Sequence, residues 1–199
     1  RLKEDMKDWQ GNPMYKDRYT RTVAYQLTTE EKELYDAVTR YLTKKKEEAS
    51  ETKNIHVSLA LTVMQRRLVS SIFAIKNTLE RRWKALQSIV DELNQNPNLW
   101  NQRHKIDPVF NQIDDIEDFE ELEDDERDAL ESILSDPKKF RLFTTAKHPN
   151  EIIQEAGEVK KLYEMALSRY NRSQEEQKFK EIQKLLTSQN VINGEKLVI

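Results

Sequence analysis

A chain of 199 residues is long enough to bury a core without metals or disulfides, and short enough to form one domain or two small ones. Its composition, 37% hydrophobic and 35% charged with three glycines and five prolines, is that of a helical, strongly hydrated protein, with too little glycine for a Rossmann-type or barrel enzyme. The absence of cysteine excludes a disulfide framework, a thiolate nucleophile and a thiolate metal site, and the formal net charge of −3 hides a division: 20 basic against 15 acidic residues over 1–112, and 13 against 21 over 113–199.

From Arg21 to Leu27, "RTVAYQL" alternates Val23, Tyr25 and Leu27 with smaller or polar residues, the period-2 pattern of a half-buried strand. Directly after it, Thr28 and Glu31 have the spacing of a capping box. Leu34, Val38, Tyr41 and Leu42 then share one helical face. The longest periodic segment carries Val57, Leu61, Met64, Leu68, Ile72, Ile75, Leu79, Trp83, Leu86, Val90 and Leu93 at steps of three or four. This is the seam of a helix pair or bundle, with a break expected at Ser70-Ser71, where serine caps a new helix.

Residues 94–112 hold two prolines and five asparagines with little periodicity, and read as a connection. Ten acids follow between Asp114 and Glu126, with Ile113, Ile116, Phe119 and Leu122 still at helical spacing. The acidic segment 113–128 is a solvated helix face or linker, or a surface that mimics DNA or grips a basic partner. After Pro149, "NEIIQEAGEVKKLYEMALSRY" predicts an amphipathic helix capped by Asn150. Ser173 and Glu176 repeat the capping-box spacing ahead of Phe179, Ile182, Leu185 and Leu186. The last residues, Lys196 to Ile199, begin a second apolar strand.

No run approaches the roughly 20 apolar residues that span a bilayer, and the N-terminus lacks the apolar region of a signal peptide. The expectation is a soluble, cytoplasmic chain. Phosphate-cradling glycine loops and the nucleophile elbow are missing. Asp125-Glu126-Arg127-Asp128 spells an acidic box without the apolar strand that such a box needs before it. His56, His104 and His148 lie more than forty residues apart, which disfavours a metal site. The paired carboxylates sit in hydrated charge runs without the apolar surroundings that tune an acid catalyst. No catalytic residue and no metal ligand is expected.

What remains is a basic set, Arg66, Arg67, Lys76, Arg81, Arg82 and Lys84, opposed within residues 55–90 by Glu80 alone. Phosphate backbones are bound by such arrays, because each neutralised phosphate releases counterions and needs charge density without a sequence motif. The same pattern also suits a solvated or acid-paired helix face.

Several stretches together resemble SWI/SNF-type, helicase-like DNA translocases. "RLKEDM" followed by "RTVAYQLTTEEKELYDAVTRYL" resembles the point where the first RecA-like lobe of that family ends. Arg1, Lys3, Glu4, Leu27, Thr28, Glu30, Glu31, Leu34 and Tyr35 fall on the positions of its motifs. "LTVMQRRLVSSIFAIKNTLERRW" is similar to a signature of the bacterial RapA/HepA-like and DrmD-like branch, and "EEQKFKEIQKLL" with "GEKLVI" resembles the entry to the second RecA-like lobe.

The resemblance implies that residues 1–28 close the first lobe, 29–190 form a helical insertion between the lobes, and 191–199 start the second lobe. The chain would then be a fragment of a DNA-dependent ATPase, a nucleoid-associated parent supplying ATP and Mg, with no nucleotide site of its own. Its partners would be double-stranded DNA and the two lobes. The expected fold is all-α, an elongated bundle of long antiparallel helices with one or two short terminal strands, and monomeric. The rival expectation is a freestanding coiled-coil structural or adaptor protein whose acidic segment binds a basic partner, and which dimerises.

Overall fold

The computed structural model describes residues 6–14, 20, 22–51, 55–98, 144–172 and 176–187. The acidic segment 113–128, His104 and the expected strand at 196–199 lie outside these residues. The fold is all-α, built from α1 (Thr29–Glu51), α2 (Ile55–Ser70), α3 (Ile72–Gln95), α4 (Pro149–Arg172) and a short α5 (Gln177–Leu186).

Local sequence explains each start. The capping box ahead of α1 forms as expected: Thr28 Oγ1 accepts from Glu31 N at 3.2 Å, and Glu31 Oε2 accepts from Thr28 N at 2.8 Å. Ser71 interrupts the long periodic segment in extended backbone (φ −164°, ψ 158°), and its hydroxyl accepts from Ala74 N at 3.0 Å to cap α3. The start of α4 differs from expectation. Pro149, not Asn150, opens the helix, because proline lacks the N–H that a first helical residue leaves unpaired. Glu151 then reaches back to accept from Lys147 N at 2.6 Å. Helix α5 starts after Glu176, whose carboxylate does not cap its own helix.

The pairings across helices give the topology. Glu31 meets Arg169 and Lys45 meets Glu155, so fourteen steps forward along α1 are matched by fourteen backward along α4, and the two run antiparallel. Phe73 with Tyr170 and Trp83 with Tyr163 give the same sense for α3 and α4. Lys46 bonds Gln65 across the short α1–α2 connection, and Arg67 bonds Thr78 around Ser71. Among the described residues each helix thus packs beside the next, and α4 closes back on α1, in an up-down-up-down bundle of four helices. The apolar stripes meet in one core, with Leu34, Val38, Leu61, Met64, Ile75, Leu79, Leu86, Ile89, Ile152 and Val159 all buried. Here "base" denotes the end where α1 and α3 begin, α2 and α4 finish, and α5 is attached.

The strand expected at 21–27 is not formed: residues 22–27 carry no strand pairing. No second extended segment lies beside them among the described residues. Their alternation reflects partial cover instead, with Val23 and Leu27 half-buried and Tyr25 38% exposed near Glu31 and Glu176 at the base. Further upstream, residues 6–14 make a small turn closed by a Lys7–Pro13 bridge. Asp8 accepts the amides of Gln10 and Asn12, both at 2.8 Å, and Gly11 takes the positive φ of 88° that this reversal requires.

Candidate nucleic-acid interface

The six basic residues singled out by the sequence end in different places. Arg66 is exposed on the last turns of α2. Arg67, one residue on, is half-buried and donates to Thr78 Oγ1 at 2.9 Å, tying α2 to α3 across the Ser71 corner. Lys76, Arg81 and Lys84 converge on Glu80. Lys84 bonds its carboxylate at 2.6 Å, and the charges of Lys76 and Arg81 add to that bond in holding Glu80 below the usual carboxylate range. Lys76 also lies 5.4 Å from the Phe73 ring centroid and 5.0 Å from that of Tyr170. Lys76, Arg81 and Lys84 therefore leave a basic face on α3, on the side where Lys76 meets Tyr170 of α4, and Arg66 adds one cation on α2.

Arg82 does not belong to that face. Only 3% exposed, it points into the bundle, where its guanidinium donates to Glu155 Oε1 at 2.5 Å. The reason is its register: Arg82 lies three residues after Leu79 and four before Leu86, on the apolar stripe itself. A charge at that position is buried, and a buried charge must be paired.

Its partner, Glu155, occupies the matching stripe position on α4 and is 2% exposed. Glu155 Oε1 also accepts from Tyr41 Oη at 3.0 Å, while Oε2 faces Lys45 Nζ at 3.3 Å and Thr144 Oγ1 at 3.4 Å. Lys45 in turn meets Glu48 at 2.8 Å, and Glu48 accepts from Thr145 Oγ1 at 2.6 Å. Two cations and two carboxylates balance within one connected cluster.

The electrostatics follow from this geometry. Burial alone pushes the Glu155 carboxyl up, but Arg82 and Lys45 outweigh it and hold the group below its ordinary value. Burial also works against the charge on Lys45, and the neighbouring Glu155 and Glu48 more than restore it, raising its pKa. The Tyr41 hydroxyl is pushed upward by burial and then by the Glu155 charge, so it stays protonated and acts as a donor. A cleft of about 240 Å³ opens beside the cluster, lined by Lys44, Lys45, Glu48, Thr145, Lys147 and Glu155 among others. With every ionic group satisfied by its neighbours, the cluster is suited to fixing the helices in register.

Sequence reasoning missed Glu155, Tyr41, Lys45 and Glu48. A signal was present: Lys45, Arg82 and Glu155 each interrupt an otherwise apolar stripe, and opposite charges on the inner faces of different helices are the mark of a buried pair.

Among the described residues no group of histidine and acidic side chains is placed to hold a metal ion, and no helix is long and apolar enough to cross a membrane. No protein-family model, no curated protein and no solved structure matches the chain.

Proposed function

We propose that this bundle is the helical insertion between the two motor lobes of a SWI/SNF-like DNA translocase, and that the basic face of α3 engages the phosphate backbone of duplex DNA. The observation that carries the reading is the position of entry and exit. Chain enters α1 and leaves α4 for α5 at the same end of the bundle, close enough for Glu31 of α1 to accept from Gln177 N of α5 at 3.1 Å. An element attached at one end moves as a lever with the body that holds it.

On this reading residues 1–28 close the first lobe, 29–190 project as the bundle, and 191–199 lead into the second lobe. ATP and Mg act in the lobes, and their closure sweeps the bundle along the duplex. Arg66, Lys76, Arg81 and Lys84 face the phosphates, each as a point charge that releases counterions and reads no base. Arg82 keeps the lever stiff through Glu155. The adaptor reading has no comparable support: the apolar seam that would drive a coiled-coil dimer is filled within one chain.

The test uses a polypeptide holding both lobes and this bundle, with Lys76, Arg81 and Lys84 changed to Ala. DNA-stimulated ATP hydrolysis should fall severalfold while hydrolysis without DNA is unchanged. Full DNA stimulation and normal translocation by the variant would contradict the proposal.

A further inference from the structure

Helix α5 is unlike the other four in that none of its residues is buried. Its apolar residues find only partial cover: Phe179 is 50% and Leu186 48% exposed, with Ile182 and Leu185 half-buried. What fixes it is a set of polar contacts at its first turn, all directed at the ends of other helices. Glu31 of α1, already bonded through Oε2 to Thr28 N, accepts from Gln177 N with its other oxygen. Glu176 Oε1 accepts from Ile72 N, the first amide of α3, at 2.7 Å. Lys178 Nζ donates to the last carbonyls of α2, Val69 O at 3.0 Å and Ser70 O at 3.2 Å. Three helix termini are thereby joined to one short segment, with carboxylates on the amide ends and the ammonium on the carbonyl end, as the helix dipoles favour.

We propose that α5 is a detachable strap: it releases from the base as a unit when these first-turn contacts break, while the four-helix core stays folded. Two features carry the inference. Releasing α5 uncovers less apolar surface than releasing any of the other described helices, because its apolar side chains are only partly covered and none is buried. The core keeps its own caps after release, since Ser71 still holds Ala74 N and Glu31 still closes the capping box on Thr28. A ten-residue helix is not stable alone in water, so the released strap unwinds. Its reach then grows from about 15 Å as a helix to at most about 35 Å as extended chain. The base thus holds a length of chain in reserve between the bundle and whatever follows it. This inference is independent of the motor reading and concerns the chain by itself.

Native-state hydrogen exchange tests it on the whole chain. The Gln177→Pro variant is well suited, because Glu176 already holds φ −65° and ψ 146°, the backbone that a residue before proline takes. Proline is accepted at the first helical position, so the substitution removes only the N–H donated to Glu31. Lys178→Met serves as the second variant, keeping an apolar stem while removing the ammonium from Val69 O and Ser70 O. In the wild type, amides 180–186 should exchange well before those in the middle of α3 and α4. In either variant they should exchange about tenfold faster, the equivalent of one lost charge-assisted hydrogen bond, with α3 and α4 unchanged. Exchange of 180–186 only together with α3 and α4 in the wild type, or equal acceleration of all three helices in both variants, would overturn the proposal.

Discussion

Glu155 shows how one side chain organises three helices. It receives Tyr41 and faces Lys45 from α1, receives Arg82 from α3, and sits on α4. Replacing it by Gln leaves two buried cations short of a carboxylate, and should destabilise the fold by about 3–5 kcal/mol in urea unfolding. Simultaneous replacement of Glu155, Arg82 and Lys45 by Met should recover most of that loss, because the three buried charges are then exchanged for apolar packing. A single Glu155→Gln variant as stable as the wild type would show that the cluster contributes nothing. The same residues set the response to pH. The folded Glu155 and Glu48 carboxyls lie below their ordinary value of 4.5, so the stability they contribute is present above pH 4.5 and is lost as pH falls through their folded values. Lys45 is raised above 10.5, so its contribution is complete below that value and lost as pH rises through the folded one. The contribution of these three groups to the urea midpoint should therefore be flat between about pH 5 and 10 and fall on either side; a midpoint still rising on acidification below 4.5 would contradict this assignment.

At the scale of elements, caps and stripes were the readable features. Thr28 with Glu31 and the break at Ser71 were plain in the sequence because each is a local pattern answered by its own backbone. Ser71→Ala should cost about 1 kcal/mol, seen as a lower melting temperature, while Ser70→Ala, outside the cap, should cost much less. Equal effects of the two would remove Ser71 from its capping role. The expectations that failed did so because a distant partner decided them. The alternation at 22–27 reads as a strand, yet a strand needs a neighbour, and among the described residues none pairs with this segment, of which only Val23 and Leu27 are half-buried. Of the capping-box pair Ser173 and Glu176, Ser173 lies outside the described residues, and the Glu176 carboxylate is taken by Ile72 N, more than a hundred residues earlier. Asn150 lost its capping place to the stereochemistry of Pro149 beside it.

For the whole molecule, the sequence revealed that long helices share apolar faces, but not which helices are neighbours. Arg82 and Glu155 lie 73 residues apart, beyond any periodicity, and their pairing appears only once α3 and α4 are packed together. That is also why Arg82 read as a surface cation: six basic residues close in sequence look like one array until the helix turns one of them inward. Since the bundle closes its own seam, sedimentation should find a monomer at micromolar concentration, whereas a stable dimer would favour the coiled-coil adaptor. The functional claim rests on the cations that remain outside. It is tested most directly by the anisotropy of a labelled DNA duplex with this chain from low to about 0.2 M salt, comparing the wild type with a Lys76→Ala, Arg81→Ala, Lys84→Ala variant. The account predicts binding that weakens steeply with salt, and a variant whose salt slope is shallower by about one unit for each phosphate contact removed. Binding with the same slope in both proteins, or none at low salt, would contradict it and leave the basic face of α3 without a role in holding DNA.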